Sequence, residues 1–445
     1  TLSSEPFDIS FPGIYDNSLH FDIAKAKVAW RIEPEAIYVD SGVIDVRAEY
    51  GPAVAQLALR FPRQQDAGDA TMFLAVGLTN TPASNRDKFI PAVLSEDLLA
   101  WLDSSIQGGD ITQGGFIYNG SLAKDSAQER SVQLFLDVAN GELDYQPGWP
   151  ALNSIQAQVF VDDGDVDVYS ASAIASGIAL HDTRVTVTPQ PNGDPWLSVA
   201  TQLQGDAGQG LAVVNTGNLR EIVGDAFVDW QLSGDMSAHL TLGVPIAAQS
   251  EQPVQVDFSS YIRAGDLRLS DYRLSLKDFY GPFEYSSAKG VTSTGLQGLL
   301  FNKKAIVKIA QAADHSVVVN VDGQLHVDDV EDWAQFAGMT YFSGQTQVQA
   351  EVRVNSEHDQ LTLVSDLKGV AIDLPPPYKK SPDEAAAFAL SIPLGGEQTL
   401  LTMTLDKTLS SHLRLTEQGV SGGNLVFNPS GDEPVPDDEF VITGA

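Results

Sequence analysis

Few stretches of this 445-residue chain place reactive residue types at spacings that do chemistry. Gly419 to Gly423, GVSGG, satisfies the letters of a G-x-S-x-G nucleophile elbow. That device needs a strand before it and a helix after it, so that a tight turn lifts the serine hydroxyl. Here NLVFNP follows, which reads as strand, so a hairpin turn is the better reading. Asp162 to Asp167, DDGDVD, has the carboxylate density of a calcium loop but lacks the EF-hand order and its closing Glu. A solvated hairpin turn fits it better. Glu357 to Asp359 and His326 to Asp329 put imidazole beside carboxylate, yet no HxxxH or HExxH spacing occurs. No Trp-rich acidic cleft pattern singles out a carboxylate pair for glycoside hydrolysis, and no Gly-rich phosphate loop is visible. The residues point away from an enzyme. No catalytic residue, metal or cofactor is expected.

Composition narrows the remaining classes. Lys and Arg number 26 against 59 Asp and Glu, a formal net charge of -33. Nucleic-acid binding needs basic patches, so that class is set aside. The acidic balance also disfavours a generic attraction to anionic headgroups and favours solubility through self-repulsion. Cysteine is absent, which removes disulfides, thiolate nucleophiles and Cys-type zinc sites. No apolar run reaches the roughly 18 residues of a membrane span. The opening TLSSEPFDISFPG looks like an internal cut, so a soluble piece of a longer chain is expected.

The elements that would position any site are strands. Period-2 alternation runs from end to end: Val132, Leu134, Leu136 and Val138 alternate with Gln133, Phe135, Asp137 and Ala139. Val348, Ala350, Val352 and Val354 alternate with Gln347, Gln349, Glu351 and Arg353. Asn140-Gly141, Asp163-Gly164, Ala264-Gly265, Lys289-Gly290, Asp322-Gly323 and Ser343-Gly344 read as turns between antiparallel hairpins. Three helices are expected, at Ser95 to Ser105, Asn218 to Trp230 and Asp328 to Ala337. Ser95 is the expected N-cap of the first, and Asp328 with Glu331 a capping-box-like start for the third. These are too few for a parallel α/β sheet, which needs a crossover after nearly every strand.

GELDYQPGWPALNSIQAQVFVDDGDVDVYSASAIASGIALHDTRVTV and AGDLRLSDYRLSLKDFYGPFEYSSAKGVTSTGLQGLLFNKKAIVKI share one plan of strand, irregular link, strand, turn and two further strands, which suggests a repeated unit. Four stretches, in this order, carry a resemblance to a known family: FIPAVLSEDLLAWLDSSIQGGDITQGGFIYNGSL (89–122), GELDYQPGWPALNSIQAQVFVDDGDVDV (141–168), LRLSLKDFYGPFEYSSAKGVTSTGLQGLLFNKKAIVKI (through 309) and LKGVAIDLPPPYKKSPDEA (367–385). Together they resemble the YhdP family of AsmA-like envelope proteins of Gram-negative bacteria, over a middle portion of a full member. The resemblance implies a parent anchored in the inner membrane and spanning the periplasm, which helps move phospholipid to the outer membrane. It also implies a bridge-like architecture, a long antiparallel sheet bent into a U-shaped or tubular groove with an apolar floor. It supplies no catalytic residues.

The alternation is compatible with that. A sheet apolar on one side must cover that side with a second sheet, by closure, or with a guest. Acyl chains suit the third solution, since each CH2 leaving water gains about 0.8 kcal/mol. About 25 strands at about 4.8 Å spacing would extend on the order of 100 Å, the span of a conduit. The fold expected is mainly β, one elongated repeating groove segment with approximate blocks 1–88, 89–140, 141–250, 251–366 and 367–445. The expected groove lining is Tyr145, Ile155, Val159, Val166, Val168, Val185, Val187, Leu267, Leu269, Leu274, Leu276, Phe283 and Tyr285. Pro147-Gly148-Trp149-Pro150 reads as a segment that leaves the strand at Leu143–Tyr145, crosses the groove, and re-enters at Ile155, with Trp149 as a cap. Lys379-Lys380 could meet a lipid phosphate at the edge, though a solvated loop is the weightier reading. The competing function is a structural β scaffold of the envelope that binds proteins through its edges and has no lipid conduit.

Overall fold

The computed structural model describes residues 2–9, 18–49, 51–64, 68–90, 94–123, 130–190, 194–217, 220, 228, 230–246, 252–270, 273–334, 340–354, 359–376, 378–394, 399–416, 419–429 and 439–444. Strands dominate it, with a few short helices, as the alternation predicts. The chain divides into two compact units, the first made of Thr1–Gly205, Ala212–Asp225 and His239–Val256, the second of Asp206–Leu211, Ala226–Ala238 and Asp257–Ala445.

In the first unit β6 (Ala36–Ala48), β7 (Gly51–Pro62), β8 (Thr71–Pro82), β9 (Ile106–Ser121), β10 (Ser131–Leu143), β11 (Leu152–Asp162), β12 (Asp165–Ala175), β13 (Ile178–Pro189) and β14 (Pro195–Asp206) follow one another. Each pairs antiparallel with the next. Ahead of them, β4 (Ile23–Ala26) and β5 (Ala29–Ile32) lie on the two halves of β6, and β1 (Leu2–Ser3) lies on β4. A separate hairpin joins β2 (Phe7–Ile9) to β3 (Leu19–Phe21). After β15 (Trp230–Pro245), the second unit repeats the pattern through β16 (Gln255–Leu269), β17 (Leu274–Ser286), β18 (Gly290–Leu300), β19 (Lys303–Gln311), β20 (Val317–His326), β21 (Phe342–Val354) and β22 (Gln360–Ser365). β23 (Val370–Ile372) lies on β21; β24 (Phe388–Pro393), β25 (Thr399–Leu405), β26 (Leu409–Thr416) and β27 (Gly419–Phe427) continue antiparallel from β22. β28 (Phe440–Gly444) pairs parallel to β27, an exception to the antiparallel pairing of the other described strands.

Among the described residues the α-helices are α1 (Arg86–Phe89), α2 (Glu96–Ser105), α3 (Ala207–Val214) and α4 (Val327–Ala334). Ser95 caps α2, its side chain accepting from the Leu98 amide. α3 was not expected from its sequence AGQGLAVV, which carries two unfavourable glycines. Asp206 is the reason it forms: its Oδ1 accepts from the Gly208 and Gln209 amides at 2.9 and 3.2 Å. The helix expected at Asn218 to Trp230 lies largely outside the described residues, while Trp230 itself opens β15. α4 starts before Asp328, so Asp328 is not its cap; the His326 imidazole Nδ1 accepts from the Asp328 amide instead, at 3.3 Å.

The turn letters divide into two kinds. Asp163-Gly164 and Lys289-Gly290 do sit at hairpin ends. Asn140-Gly141, Ala264-Gly265, Asp322-Gly323 and Ser343-Gly344 lie inside strands. Asn140 and Ala264 are left-handed, at φ 52° and 48°, and each marks a register shift. A bulge needs the same left-handed residue as a turn, so the letters cannot separate the two. In the first unit left-handed residues fall on four successive strands and on β13: Asn80 on β8, Gly109 on β9, Asn140 on β10, Ser154 on β11 and Asp182 on β13. The ladder slips near them, between Ala139 and Glu142, Gln156 and Ala157, and His181 and Arg184. Bulges on neighbouring strands bend those strands locally.

Buried hydroxyls stitch neighbouring strands. Ser170 donates to the Gln156 carbonyl at 3.1 Å, and the Thr183 and Thr201 hydroxyls lie 2.7 Å apart. Fully buried apolar cores are small. One, in the second unit, gathers Ala207, Met236, Ile262, Leu276, Phe279 and Leu296. Another gathers Val327, Leu367, Val370 and Ile372.

Candidate functional site

The register of the first unit assembles an aliphatic face. Leu134, Val161, Val166, Val187 and Leu197 are successive Cα partners across β10 to β14. Leu136, Val159, Val168, Val185 and Val199 form the next such row on the same face. Direct cross-strand partners point to one side, and residues two apart along a strand share it. All ten are half-buried rather than buried. Val159, Val166, Val168, Val185 and Val187 therefore stand side by side, and Ile155 continues their side of β11 against Gly141. Leu134, Leu136, Leu197 and Val199 belong to the same rows. Alternation marked their strands, but only register shows which residues complete a row.

The opposite face of the same strands is mixed, with Phe135 and Phe160 in one row with Asp167. Asp167 and Arg184 form an exposed ion pair at 2.7 Å. That face also carries an open trough of about 750 Å3 whose lining includes Val43, Val54, Ile117, Phe135 and Phe160. Gly77 and Gly115, which are cross-strand partners, leave bare backbone there. The Phe135 and Phe160 rings lie 5.1 Å apart on its wall.

The second unit builds the same kind of face. Leu267, Leu276 and Leu300 form one row, and Leu269 pairs with Leu274. Tyr285 lies between Phe258 and Val291, and Phe283 opposite Ser260. Leu276 is 7% exposed and belongs to a closed cluster with Phe279 and Ala207 of α3, and Leu267, Leu300 and Phe258 pack against it. At Leu276 the space is filled by protein, not open. Further along, Ile309, Val319, Val352, Leu361 and Ile392 form one row. Val307, Val321, Ala350, Leu363, Leu390 and Met403 form another. These too are half-buried.

Tyr145 and Trp149 stand apart from the rows. Leu143 pairs with Leu152, so the chain re-enters the sheet at Leu152 and not at Ile155. Between them Gln146 to Trp149 is a tight turn, closed by the Trp149 amide donating to the Gln146 carbonyl at 3.1 Å. Pro147 then takes the second position and Gly148, at φ 80°, the third, as a type II turn requires. The Trp101 indole of α2 donates to the Tyr145 carbonyl at 3.1 Å, and the Tyr145 and Trp149 rings are 6.3 Å apart. Burial, helped by Asp144, pushes the Tyr145 phenol above its ordinary pKa. PGWP is a hairpin end pinned by α2, and both aromatic rings are half-buried within it.

The chemistry-bearing stretches have structural roles. Ser421 of GVSGG lies within β27, not at a turn, and its hydroxyl donates to the Arg414 carbonyl at 3.4 Å. In DDGDVD, Asp163 Oδ1 accepts from the Val132 amide at 2.7 Å and Asp167 pairs with Arg184. Glu357 and His358 lie outside the described residues. Among the described residues no three His, Asp or Glu side chains group as metal ligands. Lys380 is no solvated loop residue: it is 8% exposed, and its Nζ donates to the carbonyls of Leu367, Val370 and Ser381 at 2.8, 2.7 and 3.0 Å. Burial pushes its pKa down, while Glu384, Asp366 and Asp406 oppose that. Lys379 is exposed and pairs with Asp373 at 3.1 Å.

Comparison with known proteins agrees with this architecture. The family model described as YhdP protein matches residues 1–445. A curated relative, the intermembrane phospholipid transporter YhdP of Escherichia coli (strain K12), is 21% identical over 410 residues, which cover 88% of this chain and 31% of the relative. The chain thus spans about a third of that relative's length. No solved structure matches.

Proposed function

We propose, from the premise that this chain belongs to the YhdP family, that it is a segment of an intermembrane phospholipid conduit. Its aliphatic sheet face holds acyl chains out of water while headgroups stay at the rim. One observation carries the reading: rows of aliphatic side chains run unbroken across consecutive strands and stay half-exposed. A closed core would bury them, as it buries Phe279 at 2% exposure. Each contact with an acyl chain is nonspecific dispersion and burial, so a lipid can slide from strand to strand without a deep well. Lipid transport is the activity named for the relative, and we place this segment in the periplasm, in a parent anchored in the inner membrane. No helix among the described residues is long and apolar enough to cross a membrane.

A photocrosslinking amino acid at Val168, followed by lipid mass spectrometry on protein purified from a Gram-negative host, tests this. Phospholipid adducts are expected at Val168, with at least about fivefold fewer at Asp167 on the opposite face, the ratio for about 1 kcal/mol of preference. Recovery of no lipid at Val168 would sink the proposal.

A further inference from the structure

The face opposite the aliphatic rows of the first unit carries an apolar hollow. Asp45, Val54, Gly77, Gly115, Phe135, Phe160 and Asp167 are successive cross-strand partners over β6 to β12. Direct partners share a side, so this row begins and ends in a carboxylate with apolar groups between. At its centre Gly77 and Gly115 carry no side chain, and a Cβ at Gly115 would meet nothing within 4 Å. The strands of Val54 and Phe135 lie three spacings apart, about 14 Å, comparable to the width of about 10–12 Å of a helix with its side chains. The open trough of about 750 Å3 lies over this floor. Its apolar walls face water: Val43 is 68% exposed, Val54 50%, Phe160 46% and Ile117 38%.

Exposed apolar surface rimmed by polar groups marks an interaction site. The rim selects the partner. Asp45, Asp137, Asp162, Asp165 and Asp167 stand on this side around the hollow, against Arg47 and Arg184. Arg184 is already held by Asp167 at 2.7 Å. Among the described residues neither Asp45 nor Asp162 has a Lys or Arg within 4 Å. Such a rim repels phosphate headgroups, and it repels a second copy of this chain, whose net charge is -33. It attracts a segment that is both cationic and apolar. We propose that the trough docks an amphipathic helix of another protein, with a leucine or aromatic side chain seated over Gly77 and Gly115 and Lys or Arg side chains against Asp45 and Asp162. An anchor in a hollow with charges at its border is how helices are held in grooves. The proposal does not depend on the lipid reading, because it uses the opposite face of the sheet.

The test uses the whole 445-residue chain and, as probe, a labelled synthetic helix of leucine and lysine with one central tryptophan. Two control helices carry glutamate in place of lysine, or serine in place of leucine and tryptophan. At about 0.15 M salt, fluorescence anisotropy should show the wild type binding the probe at least about tenfold more tightly than either control. Gly115→Phe puts a ring into the open floor and should weaken binding at least about tenfold. Asp45→Asn/Asp162→Asn should weaken it about fivefold, the size of two exposed ion pairs. A photoreactive amino acid at Val54 should crosslink the probe, and one at Val168, on the opposite face, should not. Equal binding of the serine control would reduce the attraction to bulk charge and overturn the site. Equal binding of the glutamate control, binding that survives Gly115→Phe, or crosslinking at Val168 without crosslinking at Val54 would overturn it as well. In a Gram-negative host the photoreactive residue at Val54 should capture a protein segment that sets leucine or aromatic residues beside Lys or Arg. Capture there of phospholipid, or of a second copy of the chain, would overturn the proposal and leave the conduit standing.

Discussion

Lys379 and Lys380 are adjacent, chemically identical and opposite in role. The antiparallel bridge between Ile372 and Lys380 turns the second lysine inward, where three carbonyls match its three N–H donors. The first points out to Asp373, both side chains being well exposed. Lys380→Met would leave three carbonyls facing a thioether in a buried site. It should lower unfolding free energy by about 2–3 kcal/mol, the range for hydrogen bonds to a charged group. Lys379→Met should change it by no more than about 0.5 kcal/mol. Urea unfolding of the two variants at pH 7 checks this, and equal effects would contradict the assigned roles. Sequence spacing could not separate the two residues, because the bridge that selects one of them is a tertiary contact.

At the scale of elements, glycines show where strands are forced together and where they are not. A Cβ at Gly298 would lie 2.6 Å from the Phe279 Cβ and 3.0 Å from the Lys277 carbonyl oxygen, so backbone must shift to admit it. A Cβ at Gly115 would meet nothing within 4 Å. Gly298→Ala should therefore cost about 1–3 kcal/mol, as overpacking does. Gly115→Ala should be neutral or stabilising by up to about 1 kcal/mol through lost unfolded-state entropy. Thermal melts of both proteins measure the contrast, and a destabilised Gly115→Ala would show that the trough there is occupied. Strand identity was legible from alternation alone, because each strand keeps one aliphatic side. The bends were not legible. Asn140-Gly141 and Ala264-Gly265 carry the letters of hairpin turns but serve as bulges within β10 and β16, and only pairing on both sides of a strand tells the two apart. α3 was missed for a similar reason, since its stability comes from the Asp206 cap and the burial of Ala207 and not from its own propensity.

For the whole molecule the open question in the sequence was what covers the apolar side, and alternation reads the same for a sandwich, a barrel or a lipid-lined groove. Burial argues against a closed core at most of the aliphatic rows, because they stay half-exposed while a few clusters are fully packed. The two kinds of position should answer differently to the same charge. Leu276 is 7% exposed inside a protein-filled cluster, so Leu276→Asp buries a carboxylate among aliphatic groups and should cost more than about 3 kcal/mol. Val159 is flanked by Leu136 and Val168 and is half-exposed, so Val159→Asp can keep its carboxylate hydrated. Its cost should stay near about 1 kcal/mol, the ordinary size for a substitution that creates neither a cavity nor an unpaired buried charge. The same change places a charge in the proposed path of acyl chains, so lipid recovered at Val168 by photocrosslinking should drop while the fold persists. A scaffold with a closed core predicts the reverse pairing, loss of the fold at both sites and no lipid at either. Circular dichroism melts with lipid mass spectrometry on the two variants decide between them: a Val159→Asp protein that is folded and emptied of lipid supports the conduit, and one that unfolds as readily as Leu276→Asp refutes it.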